Sequence, residues 1–145
     1  MRILLWHVHG SWTTSFVQGP HEYVLPVTPD RGPEGLGRAH TWDWPATARE
    51  VAPESLAAED LDLVLLQRPE ELELAERWLG RRPGRDLPAV YLEHNTPLHG
   101  VPDVPDTRHP MAAQDAIPVV HVTGFNELFW DCAGAPTYKI GRAHV

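Results

Sequence analysis

Nine histidines stand in 145 residues, beside one cysteine, 20 acidic side chains and 12 basic ones. Imidazole changes charge near neutral pH and ligates metals, so the histidine spacing is the first chemical signal to weigh. His7-Val8-His9 is an H-x-H pair. On a strand, residues two apart point to the same side, so both rings would share one face. Such a pair can supply two metal ligands, and His94, His109 and His121 could add the others. The chemistry would be metal-dependent hydrolysis. Against it, the barrel scaffolds that use such pairs need about 250 residues. For His7 and His121, inside apolar runs, a packed and satisfied core histidine is the simpler expectation.

His94 differs, because it closes an apolar run in Glu93-His94-Asn95-Thr96. A carboxylate beside an imidazole can hold its tautomer or raise its pKa. Adjacent strand residues face opposite sides, however, which would keep Glu93 and His94 apart. Arg108, in Asp106-Thr107-Arg108-His109, can clamp a phosphate or carboxylate, or pair with Asp106 as scaffolding. Cys132 sits in apolar company and reads as an inert packed thiol. No Ser-His-Asp or Cys-His arrangement announces itself. Gly-x-Gly-x-x-Gly is absent after the first apolar run, and no Walker lysine motif is present, so nothing points to NAD or ATP. No cofactor is expected.

These residues need elements to position them. Arg2–Val8, Leu61–Leu66, Leu87–Leu92 and Ile117–Thr123 are near-continuous apolar runs, as strands buried on both faces require. Tyr23–Val27 is a shorter strand that Pro26 limits. Pro53–Leu56 and Phe125–Cys132 read as short helices. Pro69–Gly80 reads as an amphipathic helix, with Leu72, Ala75, Trp78 and Leu79 at helical spacing and Gly80 as its C-cap. Its acidic run, Glu70 to Glu76, reads as a solvated face. Thr28–Pro45 and Leu98–Pro110 are long loops, and loops of that length in a compact domain are more often functional or mobile than idle. Strands alternating with helices predict βαβ units and a three-layer α/β fold with a parallel sheet. In such sheets ligands bind beyond the carboxyl ends of the strands. That rule selects His9-Gly10-Ser11-Trp12, Gln67-Arg68, Glu93-His94-Asn95-Thr96 and Thr123-Gly124-Phe125-Asn126. Ser11, Thr96 and Asn126 also suit helix or turn starts.

The net charge of −8 and pI of about 5.5 argue against a nucleic-acid or anionic-membrane surface. The first residues lack a positive flank and a long apolar stretch, so neither a signal peptide nor a membrane span is expected, and a cytoplasmic location is the default. One cysteine allows no intrachain disulfide.

Four segments together carry a resemblance: Met1 to Trp12, Leu65-Leu66-Gln67-Arg68-Pro69-Glu70-Glu71, Tyr91-Leu92-Glu93-His94-Asn95-Thr96-Pro97, and Phe125-Asn126-Glu127-Leu128-Phe129-Trp130-Asp131. From Met1 to about Thr137 the chain resembles the N-terminal half of actinobacterial glycosyltransferases of the two-domain GT-B type. The resemblance implies a Rossmann-like domain over residues 1–137, forming the acceptor side of a cleft. The implied reaction moves a hexosyl group from a nucleotide-diphosphate sugar to an acceptor hydroxyl, with the donor held mainly by a second domain. It also places Gly10 and Ser11 in the cleft loop after the first strand. His94 takes the strand-exit position where such enzymes keep a polar residue near the sugar, and is expected to be the catalytic residue, as a polariser or hydrogen-bond partner for a sugar hydroxyl. Trp12, Arg68, Asn95, Thr96, Arg108, His109 and Asn126 become the acceptor-side lining. Such enzymes need no bound metal. A metal-dependent hydrolase and a non-catalytic α/β binding module remain the alternatives.

The chain departs from the resemblance at its end. Ile140-Gly141-Arg142-Ala143-His144-Val145 reads as the translation of a short-read sequencing adapter, ATC-GGA-AGA-GCA-CAC-GTC, whose next codon is TGA. Residues 138–145 are therefore expected to be a non-native tail on a longer natural chain.

Overall fold

In the computed structural model, which describes residues 1–97 and 107–140, strand β1 spans Arg2–Leu5. Its side chains alternate. Ile3 and Leu5 enter one hydrophobic cluster, whereas Leu4 and Trp6, just past the strand, enter another. A strand buried on both sides must lie inside a covered sheet. Around it run β2 (Glu22–Pro26), β3 (Ala48–Val51), β4 (Leu63–Leu66), β5 (Ala89–Glu93), β6 (Val119–His121) and β7 (Thr137–Lys139). Every pairing is parallel, in the order β3-β2-β1-β4-β5-β6-β7.

One face is covered by α2 (Glu70–Leu79), through Leu74, Ala75 and Leu79, and by Leu56 of a 3₁₀ turn over Pro53–Ala58. The other face is covered by α1 (Gly10–Phe16) and Val17, with Trp44 from the first long loop. A third helix, α3 (Gly124–Phe129), follows β6. The result is the expected α/β three-layer, Rossmann-like sheet. Among the described residues no helix is long and apolar enough to cross a membrane.

The differences from expectation have local causes. β1 ends at Leu5 rather than Val8, and the polar-aromatic stretch after it is helical. Few of the α1 residues favour a helix, and Thr13 and Ser15 each hydrogen-bond the carbonyl four residues back. Packing of Trp12, Phe16 and Val17 on the sheet supplies what propensity does not. β3 has no apolar signature because its two central residues are charged: Arg49 pairs with Glu59, and Glu50 with Arg31. β7 is an edge strand with all three residues exposed.

The acidic run is not a uniformly solvated face, since Glu71 is fully buried. It lies three and four residues before Leu74 and Ala75, in phase with the core stripe. The Thr28–Pro45 loop is pinned as a cover. Trp6 Nε1 donates to Glu34 O at 2.9 Å, and Trp44 Nε1 to Thr14 Oγ1 at 2.8 Å. The Arg38 guanidinium donates to the carbonyls of Trp44, Pro45 and Ala48. Residues 98–106 of the second loop lie outside the described residues.

Leu4 has no exposed surface. Leu4→Ala should therefore lower stability by about 2–5 kcal/mol in urea denaturation, through lost burial plus a cavity. A loss under about 1 kcal/mol would contradict this placement of the core.

Candidate functional site

From β1 the chain runs outward to β2 and β3, then returns to lay β4 on the other side of β1. The direction of winding reverses between β1 and β4, and an open α/β sheet leaves its ligand crevice at the carboxyl ends there. The exits of β1, β4 and β5 meet at this point.

Gln67 follows β4 and is almost fully buried. Its Nε2 donates to Trp6 O at 2.9 Å, and its Oε1 lies 3.0 Å from His94 Nε2. The Trp6 carbonyl can only accept, which orients the carboxamide with Oε1 toward the imidazole. Oε1 also can only accept, so His94 Nε2 must carry the proton and Nδ1 the lone pair. Burial, with a smaller push from His9, holds His94 down to about 4. At neutral pH the ring is uncharged. The His9 ring lies against it, with centroids 3.9 Å apart, and burial lowers His9 as well. Trp12 meets His94 edge-on at 5.1 Å and stacks on Phe16 at 4.7 Å.

Beside Gln67, Arg68 Nε contacts Glu71 Oε2 at 2.5 Å, and Gln67 N donates to Glu71 Oε1 at 2.8 Å. Burial pushes Glu71 up to about 7, against the pull of Arg68 and the Gln67 amide. Arg68 Nη2 is buried without a hydrogen-bond partner.

The β5 exit is clamped separately. Glu93 Oε1 accepts from Asn95 N at 2.8 Å, and Oε2 lies 2.8 Å from His109 Nε2. Met111 N donates to His109 Nδ1 at 3.0 Å, which puts the His109 proton on Nε2, facing the carboxylate. Glu93 and His94 thus take different partners, as opposite-facing neighbours should. His109 is buried edge-on between Tyr91 and Trp130. Trp130 Nε1 donates to Asn95 O at 2.7 Å. A cleft of about 450 Å³ opens here, lined by Gln67, Arg68, Asn95, Thr96, Arg108 and Trp130 among others. A more open depression of about 590 Å³ lies at the opposite, amino end, around Arg2, Glu22 and Asp62, away from every strand exit.

The structure therefore gathers His94, Trp12, Arg68, Asn95, Thr96 and Arg108 at one rim, with His109 buried beneath. Gly10 and Ser11 open α1 rather than lying in a loop, and a Cβ on Gly10 would meet only His7 Nε2, at an ordinary 3.7 Å. Asn126 is buried in the cap of α3, where its Oδ1 accepts from Thr123 Oγ1. Asp106, the alternative partner for Arg108, lies outside the described residues, and Arg108 Nη1 stands 3.9 Å from Asp131 Oδ2. The H-x-H pair is split because β1 stops before it. His7 turns to Gly37 O and Trp44, and His9 to His94. Among the described residues no three His, Cys, Asp or Glu side chains are grouped to hold a metal ion. His121 is fully buried, 3.8 Å from Cys132 Sγ, and burial pushes that thiol up, as suits an inert packed cysteine.

Three contributors were not singled out from sequence. Gln67 stood at a selected strand exit, but its role depends on contacts 61 and 27 residues away. Glu71 was visible through its helical phase. Trp130 had no local signal. No protein family matches the chain, nor does any curated protein or solved structure.

Two pH dependences of opposite sign follow. Folding raises Glu71 from 4.5 to about 7, so the native state binds more protons in that window. Its contribution is present at low pH and lost as pH rises through about 7. Wild type should thus lose stability relative to Glu71→Gln between pH 5 and pH 8. Folding lowers His94 from 6.5 to about 4, so its contribution is lost as pH falls through that window. Wild type should lose stability relative to His94→Gln between pH 7 and pH 4.5. Urea denaturation at those pH values checks both, and pH-independent differences would contradict them.

Proposed function

We propose that this chain is the acceptor-side half of a glycosyltransferase that moves a hexosyl group from a nucleotide-diphosphate sugar to an acceptor hydroxyl. The observation that carries the reading is the His94 imidazole at the β1–β4 reversal. It is uncharged, its Nε2 proton is committed to Gln67, and its Nδ1 lone pair has no partner among the described residues. A lone pair held this way accepts a hydrogen bond from a hydroxyl. A group held near 4 is a weak base at neutral pH, so His94 orients and polarises the hydroxyl more than it removes the proton. Trp12, His9 and Trp130 add ring faces and edges of the kind that pack against a sugar's C–H surface.

In the transfer, the acceptor oxygen bonds to the anomeric carbon while the bond from that carbon to the diphosphate oxygen breaks. The electron pair leaves with the diphosphate, and the hydroxyl proton passes toward His94 or solvent. This chain's part is to bind the acceptor, fix its hydroxyl and exclude water. Positive charge for the leaving diphosphate belongs, on this reading, to a second Rossmann-like domain outside the chain. The metal-dependent hydrolase is the weaker reading, because the H-x-H rings diverge.

Titration with glucose, followed by ¹H–¹⁵N NMR, should shift the His94 imidazole resonances saturably. His94→Ala should weaken that binding about tenfold, as for loss of one good hydrogen bond. The 145-residue chain given a nucleotide-diphosphate hexose and an acceptor should yield no product. Sugar binding indifferent to His94, or transfer by this chain alone, would contradict the reading.

A further inference from the structure

Tyr91 and Glu93 lie two apart on β5, so their side chains share one face of the sheet. Glu93 is engaged on both oxygens, by His109 and the Asn95 amide. The Tyr91 ring packs in the core and meets His109 edge-on at 4.9 Å, which leaves 2% of the residue exposed. Its hydroxyl makes no hydrogen bond among the described residues, yet it is not sealed from solvent as Arg68 Nη2 is. A buried side chain whose polar atom lacks a protein partner is rare, because the desolvation is otherwise uncompensated. Tyr91 lines the cleft of about 450 Å³ at the β4 and β5 exits, so its hydroxyl opens onto that space.

The walls around that hydroxyl are ring surfaces: Pro69, Pro110 and Trp130 line the same cleft. Trp130 is fixed by its indole bond to Asn95 O at 2.7 Å. Rings held in place lose little entropy when a ligand packs on them. Small-molecule sites have this make-up, with mostly apolar and aromatic walls and a few placed polar groups in about 300–1,000 Å³. Burial, reinforced by Glu93, pushes the Tyr91 phenol up. It keeps its proton at neutral pH and can donate to an oxygen. A sugar ring would bury several hydroxyls, each needing a partner, whereas the phenol offers one. We propose that this cleft holds an uncharged aromatic ring body of the acceptor, anchored by one oxygen on the Tyr91 hydroxyl. Gln67 lines the cleft and its carboxamide meets His94, so the hydroxyl that receives the sugar and the ring body belong to one molecule. The inference rests on the acceptor-site reading for that connection.

The test titrates the full 145-residue chain with 2-naphthol, with its saturated analogue decahydro-2-naphthol, and with glucose. The NMR shift of the Trp130 indole N–H reports occupancy of the cleft. 2-Naphthol should shift it saturably and bind about fivefold more tightly than the saturated analogue, as for one aromatic contact. Tyr91→Phe removes the hydroxyl and keeps the ring, and should weaken 2-naphthol about fivefold, as for one neutral hydrogen bond. Because that hydroxyl has no protein partner, the urea midpoint of Tyr91→Phe should not fall. A lowered midpoint, which would assign the hydroxyl a structural bond, overturns the proposal. So does 2-naphthol binding that is indifferent to Tyr91→Phe or equal to that of the saturated analogue. Glucose binding that still depends on His94 then leaves the acceptor reading standing. Tyr91-dependent 2-naphthol binding, with no glucose binding that depends on His94, supports the aromatic site and overturns the acceptor reading. No binding in any arm overturns both.

Discussion

The carboxamide of Gln67 uses both of its ends inside the protein. One end takes up the carbonyl of Trp6, where β1 stops, and the other meets His94, where β5 stops. Its own backbone amide is held by Glu71 at the start of α2. Three strand exits that are distant in sequence are thereby tied at one buried residue. The tie has a chemical consequence, because an orientation set by a backbone carbonyl passes through the amide and decides which imidazole nitrogen offers a lone pair. A buried amide is tolerable only when every polar atom is satisfied, since each lost partner leaves a desolvated group behind. The satisfied state here requires β1, β4 and β5 to stand in register.

Two further buried polar pairs flank this tie. Glu71 with Arg68 secures the β4 exit, and Glu93 with His109 secures the turn after β5. Pairs like these contribute little net stability once desolvation is counted, but removing one partner is expensive. Their use here is positional. They hold Arg68 and the Asn95 backbone at the edge of the cleft, while the two hydrophobic clusters hold the sheet itself. The stabilising core lies below the carboxyl edge, and the Arg68 charge at that edge is kept in place by the buried Glu71.

Much of this was legible in the sequence. β1, β4 and β5 announce themselves as apolar runs because the sheet is covered on both faces, and α2 announces itself by spacing, first-turn acids and Gly80. The rim follows from where those runs stop. What escaped did so for physical reasons. β3 has charged residues at its centre and β7 is an exposed edge, so neither has an apolar signature. α1 is formed by packing on the sheet against weak local preference. Glu71 sits inside an acidic run, and only its phase with Leu74 and Ala75 distinguishes it from the solvated glutamates. Gln67 could be placed at the rim but not assigned a role, because its partners come from other strands and depend on their order. The H-x-H pair misled because it lies past the end of β1, where the two-residue alternation no longer applies.

The parallel sheet and the meeting of His9, Gln67 and His94 are features of the fold, and sugar transfer is the function proposed from them. The proposed function rests on the state of one imidazole. ¹⁵N NMR of the His94 ring across a pH series addresses it directly. The account predicts a proton on Nε2 and a bare Nδ1 at neutral pH, with titration near 4. A proton on Nδ1, or ordinary titration near 6.5, would contradict it.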